Sequence, residues 1–462
     1  MIKLLAVGVS VALTAAACTG GGSHSGNSAT TLRPGGPSPV TTPRRPSSVP
    51  ALLQPTAGGT DVRKSGAVGD GTGDDTAAFL KAEDAALAAA ARFPNGPSGR
   101  PQAVVYVPPG TYRLLRLAFR SDVRMEVDAG AVLAQAGGRN VDVSRVPALI
   151  QWDGPPGDAV KNVSLVGVNS SAGGRKQLAE PLFPGWTVDP DFTFDLDPGF
   201  TGSNEAVAGV QALNVDGFLI QNVFSIENDS QPKSAPGAKQ GWWPQSRKAA
   251  LGLRERSDAP ADGSAYYDPH NGTIENWYNV HGPKGFGPNQ VNAGHNLTFR
   301  HIFSRGGTSM RFETDASQGK GFASELRGVE ADDIAGENCN RAVSFAPHAQ
   351  NNYDVHVSKV QAMSCAAGVI ESFDESNKQS PGKFADSTIT DVTVTSGNQA
   401  QDSLKQSSGL WAVDISETAF AKDSQTRSLW SVVYGDHSCS GSFTKPSDEI
   451  MTAQGLERPK CR

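Results

Sequence analysis

The stretch NLTFRHIFSRGG, residues 296–307, sets apolar side chains two apart, takes one polar step, and meets another apolar residue three on. The same arrangement recurs in NVSLVGV (162–168), DGFLIQNVFSIEN (216–228), YDVHVSKVQAMSCAAGVIES (353–372) and STITDVTVTSGN (387–398). Ile302, Ile334, Val360 and Val392 take corresponding places, separated by 32, 26 and 32 residues. Alternation at period two marks short strands. Its return at this interval marks a solenoid, in which each coil hides its apolar side chains and stacks its strands on its neighbours. A β-sandwich would need two-residue Asn-Gly-type hairpin turns, which are scarce here. The expected fold is all-β, a parallel β-helix.

Composition agrees. Among 462 residues there are 51 glycines and 30 prolines, with 38% hydrophobic residues, which suits a turn-rich β protein. The formal net charge of -6 is mild for this length and gives no reason to expect nucleic-acid binding.

The first residues, MIKLLAVGVSVALTAAACTGGG, carry Lys3, an apolar run to Ala17, and Cys18. The run is too short to span a membrane and reads as a secretory signal. AAAC before the glycines resembles a bacterial lipobox, with Ala15 where leucine is usual; Cys18 would then be lipidated, and plain secretion is the alternative. Residues 19–59 are rich in Ser, Thr, Gly and Pro and read as a flexible tether. The β-helix is expected over 60–435, with a tail at 436–462. The expected location is the cell surface. With Cys18 set aside, four cysteines remain, in a compartment where disulfides persist. Their three connectivities stay open. Cys339 and Cys365 lie 26 apart, about one coil, and could stack; Cys439 with Cys461 would pin the tail.

DVRKSGAVGDGTGDDTAAFLKAEDAALAAAARF (61–93) predicts a short β start, a glycine turn and a helix capped by Asp74 or Asp75. With AVVYVPPGTYRL (103–114) it resembles the entry of right-handed parallel β-helices of the pectate lyase-like superfamily, where a short helix covers the open end of the first coil. The aspartates do not meet EF-hand spacing. No organic cofactor is implied, and no ligand spacing demonstrates a structural cation.

One region, about 229–270, is longer than an ordinary turn. It holds Trp242 and Trp243 with Lys239, Arg247, Lys248, Arg254 and Arg256, then Tyr266 and Tyr267. Aromatic faces stack on sugar rings and the cations suit an anionic chain; a solvated excursion is the plainer alternative.

Chemistry concentrates in SMRFETD (309–315). As a strand, it turns Met310, Phe312 and Thr314 inward and Arg311, Glu313 and Asp315 outward. The two carboxylates would then stand roughly 6.5 Å apart between Cα atoms. Inverting glycosidases hold their carboxyls about 6.5–9.5 Å apart, retaining ones about 5–5.5 Å. One carboxyl must keep a proton for the leaving oxygen while the other activates water, and Arg311 is placed to tune them. Taken alone, such a trio is more often an ordinary solvated charged face.

The surrounding sequence GFGPNQVNAGHNLTFRHIFSRGGTSMRFETD (285–315) resembles the active-site region of iota-carrageenases, the family 82 glycoside hydrolases. The resemblance implies a right-handed parallel β-helix that hydrolyses a sulfated galactan with inversion, Glu313 as acid and Asp315 as base. It also implies a site role for Gln290, which lies 313 − 290 = 23 residues before Glu313, and for a histidine one coil later, with His348 the nearest candidate. His301, Arg300, Arg305, His281 and Lys284 are further candidates for substrate contact, without a spacing that fixes a role. The expected partner is a polysaccharide bound by a monomer, through Arg311, His348, His301, Trp242, Trp243 and Arg247. A polysaccharide lyase on a uronic-acid polymer and a non-catalytic carbohydrate-binding β-helix are the competing readings, because fold does not settle function.

Overall fold

The computed structural model describes residues 53–89, 93–135, 148–155, 157–170, 192–195, 208–226, 249–256, 267–282, 287–314, 325–347, 350–363, 365, 367–371, 384–395 and 411–414. One coil shows the construction. Strand Gly294–Gly306 runs along two faces with a corner at His301, two glycines turn the chain, and Thr308–Glu313 forms a third face. The next coil repeats this with Leu326–Glu337 and Arg341–Ala346, and the next with Asn352–Met363 and Ala367–Glu371. Every pairing between these coils is parallel. Among the described residues the one antiparallel pairing joins Phe93–Asn95 to Pro101–Val107 near the entry.

The repeat read from the sequence is the observed register. Ile302 pairs with Ile334, Ile334 with Val360, and Val360 with Val392. All four are buried. Phe312 stacks on Phe345 at 5.2 Å between ring centroids, and Phe345 meets Phe384 edge-on at 4.9 Å. A second apolar group lies on the outer side of the second face, where Tyr278 stacks between Phe224 at 5.3 Å and Phe303 at 4.5 Å.

Corners explain where the polar residues fall. Asn222, Asn276, His301, Asp333, Lys359 and Asp391 all have positive φ and precede stacked partners in successive coils. The left-handed conformation costs most residues energy, and Asn or Asp relieves the cost through local side-chain hydrogen bonds. Here Asn276 Nδ2 donates to Asn222 Oδ1 at 2.6 Å, and Asn222 Nδ2 to the Gly167 carbonyl at 3.2 Å. Each corner therefore supports the next.

The entry helix is Thr76–Ala88, with Asp75 at its N-cap. The Asp74 carboxylate accepts from the Thr76 amide at 2.9 Å, while Asp75 accepts from Val68 N–H at 2.7 Å. Phe79 packs edge-on against Tyr112 of the first coils at 5.4 Å. At the other end, Cys339 and Cys365 form a disulfide between adjacent coils, with Cα atoms 4.4 Å apart. Cys18, Cys439 and Cys461 lie outside the described residues.

The excursion expected over 229–270 is interrupted. Leu251–Leu253 is a strand of the third face, pairing with Ala208–Ile226 on one side and Asn289–Val291 on the other. Its apolar side chains are buried, which overrides the polar character of the flanking sequence.

Candidate active site

The third face carries the site. Gly252, Gln290, Arg311 and Ser344 stack in one column, and Leu253, Val291, Phe312 and Phe345 in the next. The second column is the core. Alternation along a strand then turns the first column, together with Glu313, to the outer side.

Glu313 has both carboxylate oxygens engaged. Gln290 Nε2 donates to Oε2 at 2.5 Å from the preceding coil, and Arg311 NH2 donates to Oε1 at 2.6 Å from the same strand. Asn292, two residues after Gln290, donates through Nδ2 to the Glu313 backbone carbonyl. Glu313 keeps 8% of its surface exposed, and the Arg311 side chain 21%, so the pair opens to the outside while shielded along most of its length. In the following coil, Ser344 beside Arg311 accepts from Arg341 at 3.2 Å.

Arg254 continues the strand Leu251–Leu253 and adds a second guanidinium. Burial pushes it below its ordinary value; the Glu313 charge opposes that and the Arg311 charge adds to it. Its Nε has no hydrogen-bond partner among the described residues, nor does Gln290 Oε1. Among the described residues a Cβ at Gly252 would meet only Arg254 Nε, at 3.7 Å. One guanidinium bonded to the carboxylate, a second close enough to feel its charge, and a carboxamide oxygen unpartnered among the described residues suit an anionic group and a proton-bearing ligand such as water. Among the described residues no three His, Cys, Asp or Glu side chains gather as a metal site.

The structure thus brings Gln290, Arg311 and Glu313 together. It separates His301 from them. His301 stands at the corner between the first and second faces, its Nδ1 2.7 Å from Asp333 Oδ2, because its left-handed conformation breaks the alternation that would have aimed it outward. Strand Thr308–Glu313 ends at Glu313, and Thr314 follows it in a turn. Asp315, His348, Trp242, Trp243 and Arg247 lie outside the described residues. Arg254 and Asn292 are the site residues that sequence reasoning missed as such. Arg254 read as part of a basic excursion, and its place next to Glu313 follows only from the register of Leu253 with Val291 and Phe312.

Comparison with known proteins follows the same line. Residues 59–117 match the family model described as rhamnogalacturonase A/epimerase, pectate lyase-like. An iota-carrageenase of Zobellia galactanivorans is 27% identical over 288 residues, covering 61% of this chain and 49% of that protein. An iota-carrageenase of Alteromonas macleodii is 27% identical over 308 residues, covering 66% and 50%. This chain is similar to iota-carrageenases. It spans about half the length of these curated relatives. The crystal structure of a family 82 iota-carrageenase from A. fortis superposes with a TM-score of 0.58 at 18% identity, over 89% of this chain and 99% of that one. This likeness establishes the fold as that of the iota-carrageenase β-helix, with the Gln290–Glu313 pair on its third face.

Proposed function

We propose that this protein is an inverting glycoside hydrolase that cleaves an anionic, sulfated polysaccharide in the manner of an iota-carrageenase. The observation that carries the reading is Glu313 on the outer side of the third face, held by Gln290 and Arg311 and bordered by Arg254. A neutral solvated charge ladder has no need of a buried glutamine and a second buried guanidinium beside one carboxylate.

In this reading Glu313 is the general acid and Asp315 the general base. Water attacks the anomeric carbon as Asp315 takes its proton; the glycosidic C–O bond breaks and the leaving oxygen receives the proton of Glu313. Gln290 Oε1, which has no donor among the described residues, is placed to accept a hydrogen bond from that water. Arg311 and Arg254 supply the positive field for sulfate esters. Export of the chain and a lipid on Cys18 would set the enzyme at the cell surface, and Trp242, Trp243, Arg247 and His348 would extend contact along the polymer.

The test is reducing-end release from sulfated, chemically desulfated and uronic polysaccharides, comparing wild type with Glu313→Gln. Release confined to sulfated substrates and lost in the variant is expected, with the newly formed anomer inverted by NMR. Ultraviolet absorbance of unsaturated ends rising with each cut would replace this reading by the lyase one. Undiminished release by Glu313→Gln would remove Glu313 from the mechanism.

A further inference from the structure

Behind the site lies a buried polar node that the proposed chemistry does not by itself use. Asn352 opens the strand Asn352–Met363 and pairs with Phe384 of the next coil. By the register of Arg327 with Tyr353, it stacks over Leu326 of the coil before. Both neighbours are fully buried and apolar, and so is the space Asn352 occupies, with no exposed surface. An amide in such a place is costly unless each of its polar atoms finds a partner.

Here they do. Asn352 Oδ1 accepts from the Leu326 amide at 3.0 Å, while Nδ2 donates to Thr314 Oγ1 at 3.1 Å and to the Gln350 carbonyl at 3.2 Å. The Thr314 hydroxyl in turn donates to the Pro347 carbonyl at 3.2 Å. Thr314 is also fully buried. It stands between Glu313 and Asp315, and Pro347 immediately precedes His348. Leu326 starts the strand that follows them. Asn292 grips the neighbouring Glu313 carbonyl from the preceding coil. One carboxamide therefore ties together three chain segments that border the catalytic groups.

We propose that Asn352, acting through the Thr314 hydroxyl, is a positioning residue: it fixes the backbone at 313–314 and so holds the Glu313 carboxyl in place against Gln290 and Arg311. This rests on the hydrolase reading above. A fully satisfied buried network specifies one geometry where an apolar side chain would only fill space. Misplacement by about 1 Å costs on the order of a hundredfold in rate.

The test uses Thr314→Val, which keeps the shape of the side chain and removes its hydroxyl, Thr314→Ser, which restores it, and Asn352→Asp. Thr314→Val and Asn352→Asp are expected to lower kcat about ten- to a hundredfold while KM stays within about twofold. Thr314→Ser should recover most of the wild-type rate. The double variant should lose little more than either single one, because both cut the same bond. Hydrogen exchange at Leu326, read without substrate, should accelerate in Asn352→Leu, which removes the oxygen that accepts from the Leu326 amide. A folded Thr314→Val enzyme with wild-type kcat, or losses that add in the double variant, would overturn the proposal. If wild type cleaves no polysaccharide, the hydrolase reading fails by itself. Faster exchange at Leu326 in Asn352→Leu would still uphold the clamp, and unchanged exchange would overturn it.

Discussion

Arg311 and Glu313, two residues apart on one strand, form an ion pair at 2.6 Å on the open side of the third face. A carboxylate paired with a guanidinium has no proton to give, whereas the proposed role of Glu313 requires one. The conflict resolves if the anionic substituent of the substrate takes over Arg311 on binding. Removing Arg311 should then have two effects. In Arg311→Gln the alkaline limb of the kcat/KM profile should move to higher pH, because Glu313 loses the hydrogen-bonded cation that most directly favours its charged form. The preference for sulfated over desulfated substrate should fall about tenfold, a loss on the scale of one charge-assisted hydrogen bond. Rate profiles on both substrates measure this, and an unmoved limb with unchanged preference would mean that Arg311 serves neither end.

His295 gives a pH dependence of stability. It is buried between two carboxylates, its Nδ1 2.8 Å from Asp268 Oδ2 and its Nε2 3.3 Å from Glu325 Oε1. His270 beside Asp268, with Asp216 beyond it, and Arg327 beside Glu325 complete the charged groups described around it. Burial disfavours its charged form, but the hydrogen bond and charge of Asp268, joined by those of Glu325, outweigh that and hold the imidazole above its ordinary value. A group whose pKa is raised on folding stabilises fully below its unfolded value, about 6.5 for histidine, and loses that contribution as pH rises through the folded value. Thermal midpoints should therefore decline as pH increases above about 6.5, and His295→Gln should flatten the decline.

The Cys339–Cys365 bridge closes a loop with a sequence separation of 26 and staples two coils of the region that carries Arg341 and Ser344. A cross-link of that span stabilises by about 3 kcal/mol, chiefly by restricting the unfolded chain. Replacing both cysteines by serine should lower stability by that order in chemical denaturation, with activity retained in the fraction that stays folded. Equal stability of the variant would show that stacking between the coils already sets their spacing.

The register of the first two faces was legible because each coil repeats an inward apolar position, as Ile302, Ile334, Val360 and Val392 do. Gln290 was legible for a related reason: only 23 residues and one short coil separate it from Glu313. Arg254 was not, since 292 − 254 = 38 residues separate it from Asn292, the next residue along its row, and a coil of irregular length hides the alignment. His301 shows the opposite relation. It keeps sequence proximity to the site strand, but its left-handed corner conformation directs it to Asp333 on another side of the coil. Alternation predicts facing within a strand and says nothing across a corner.

Gly252 offers the sharpest test of where substrate lies. It occupies the outward column between Gln211 and Gln290, and among the described residues an added Cβ would meet nothing but Arg254 Nε, at 3.7 Å. Glycine in a strand weakens it and often marks a close approach to the backbone, so its presence where no other described side chain crowds it suits a bound polymer lying along this column. Gly252→Val should leave the thermal midpoint unchanged or slightly higher, as β-branched side chains suit a strand. It should raise KM for the sulfated polymer several-fold, because its methyl groups would cover Arg254 and crowd Gln290. Gly252→Ala should fall between the two. Unchanged kinetics in Gly252→Val would place the substrate away from this column, and with it would go the role assigned to Arg254.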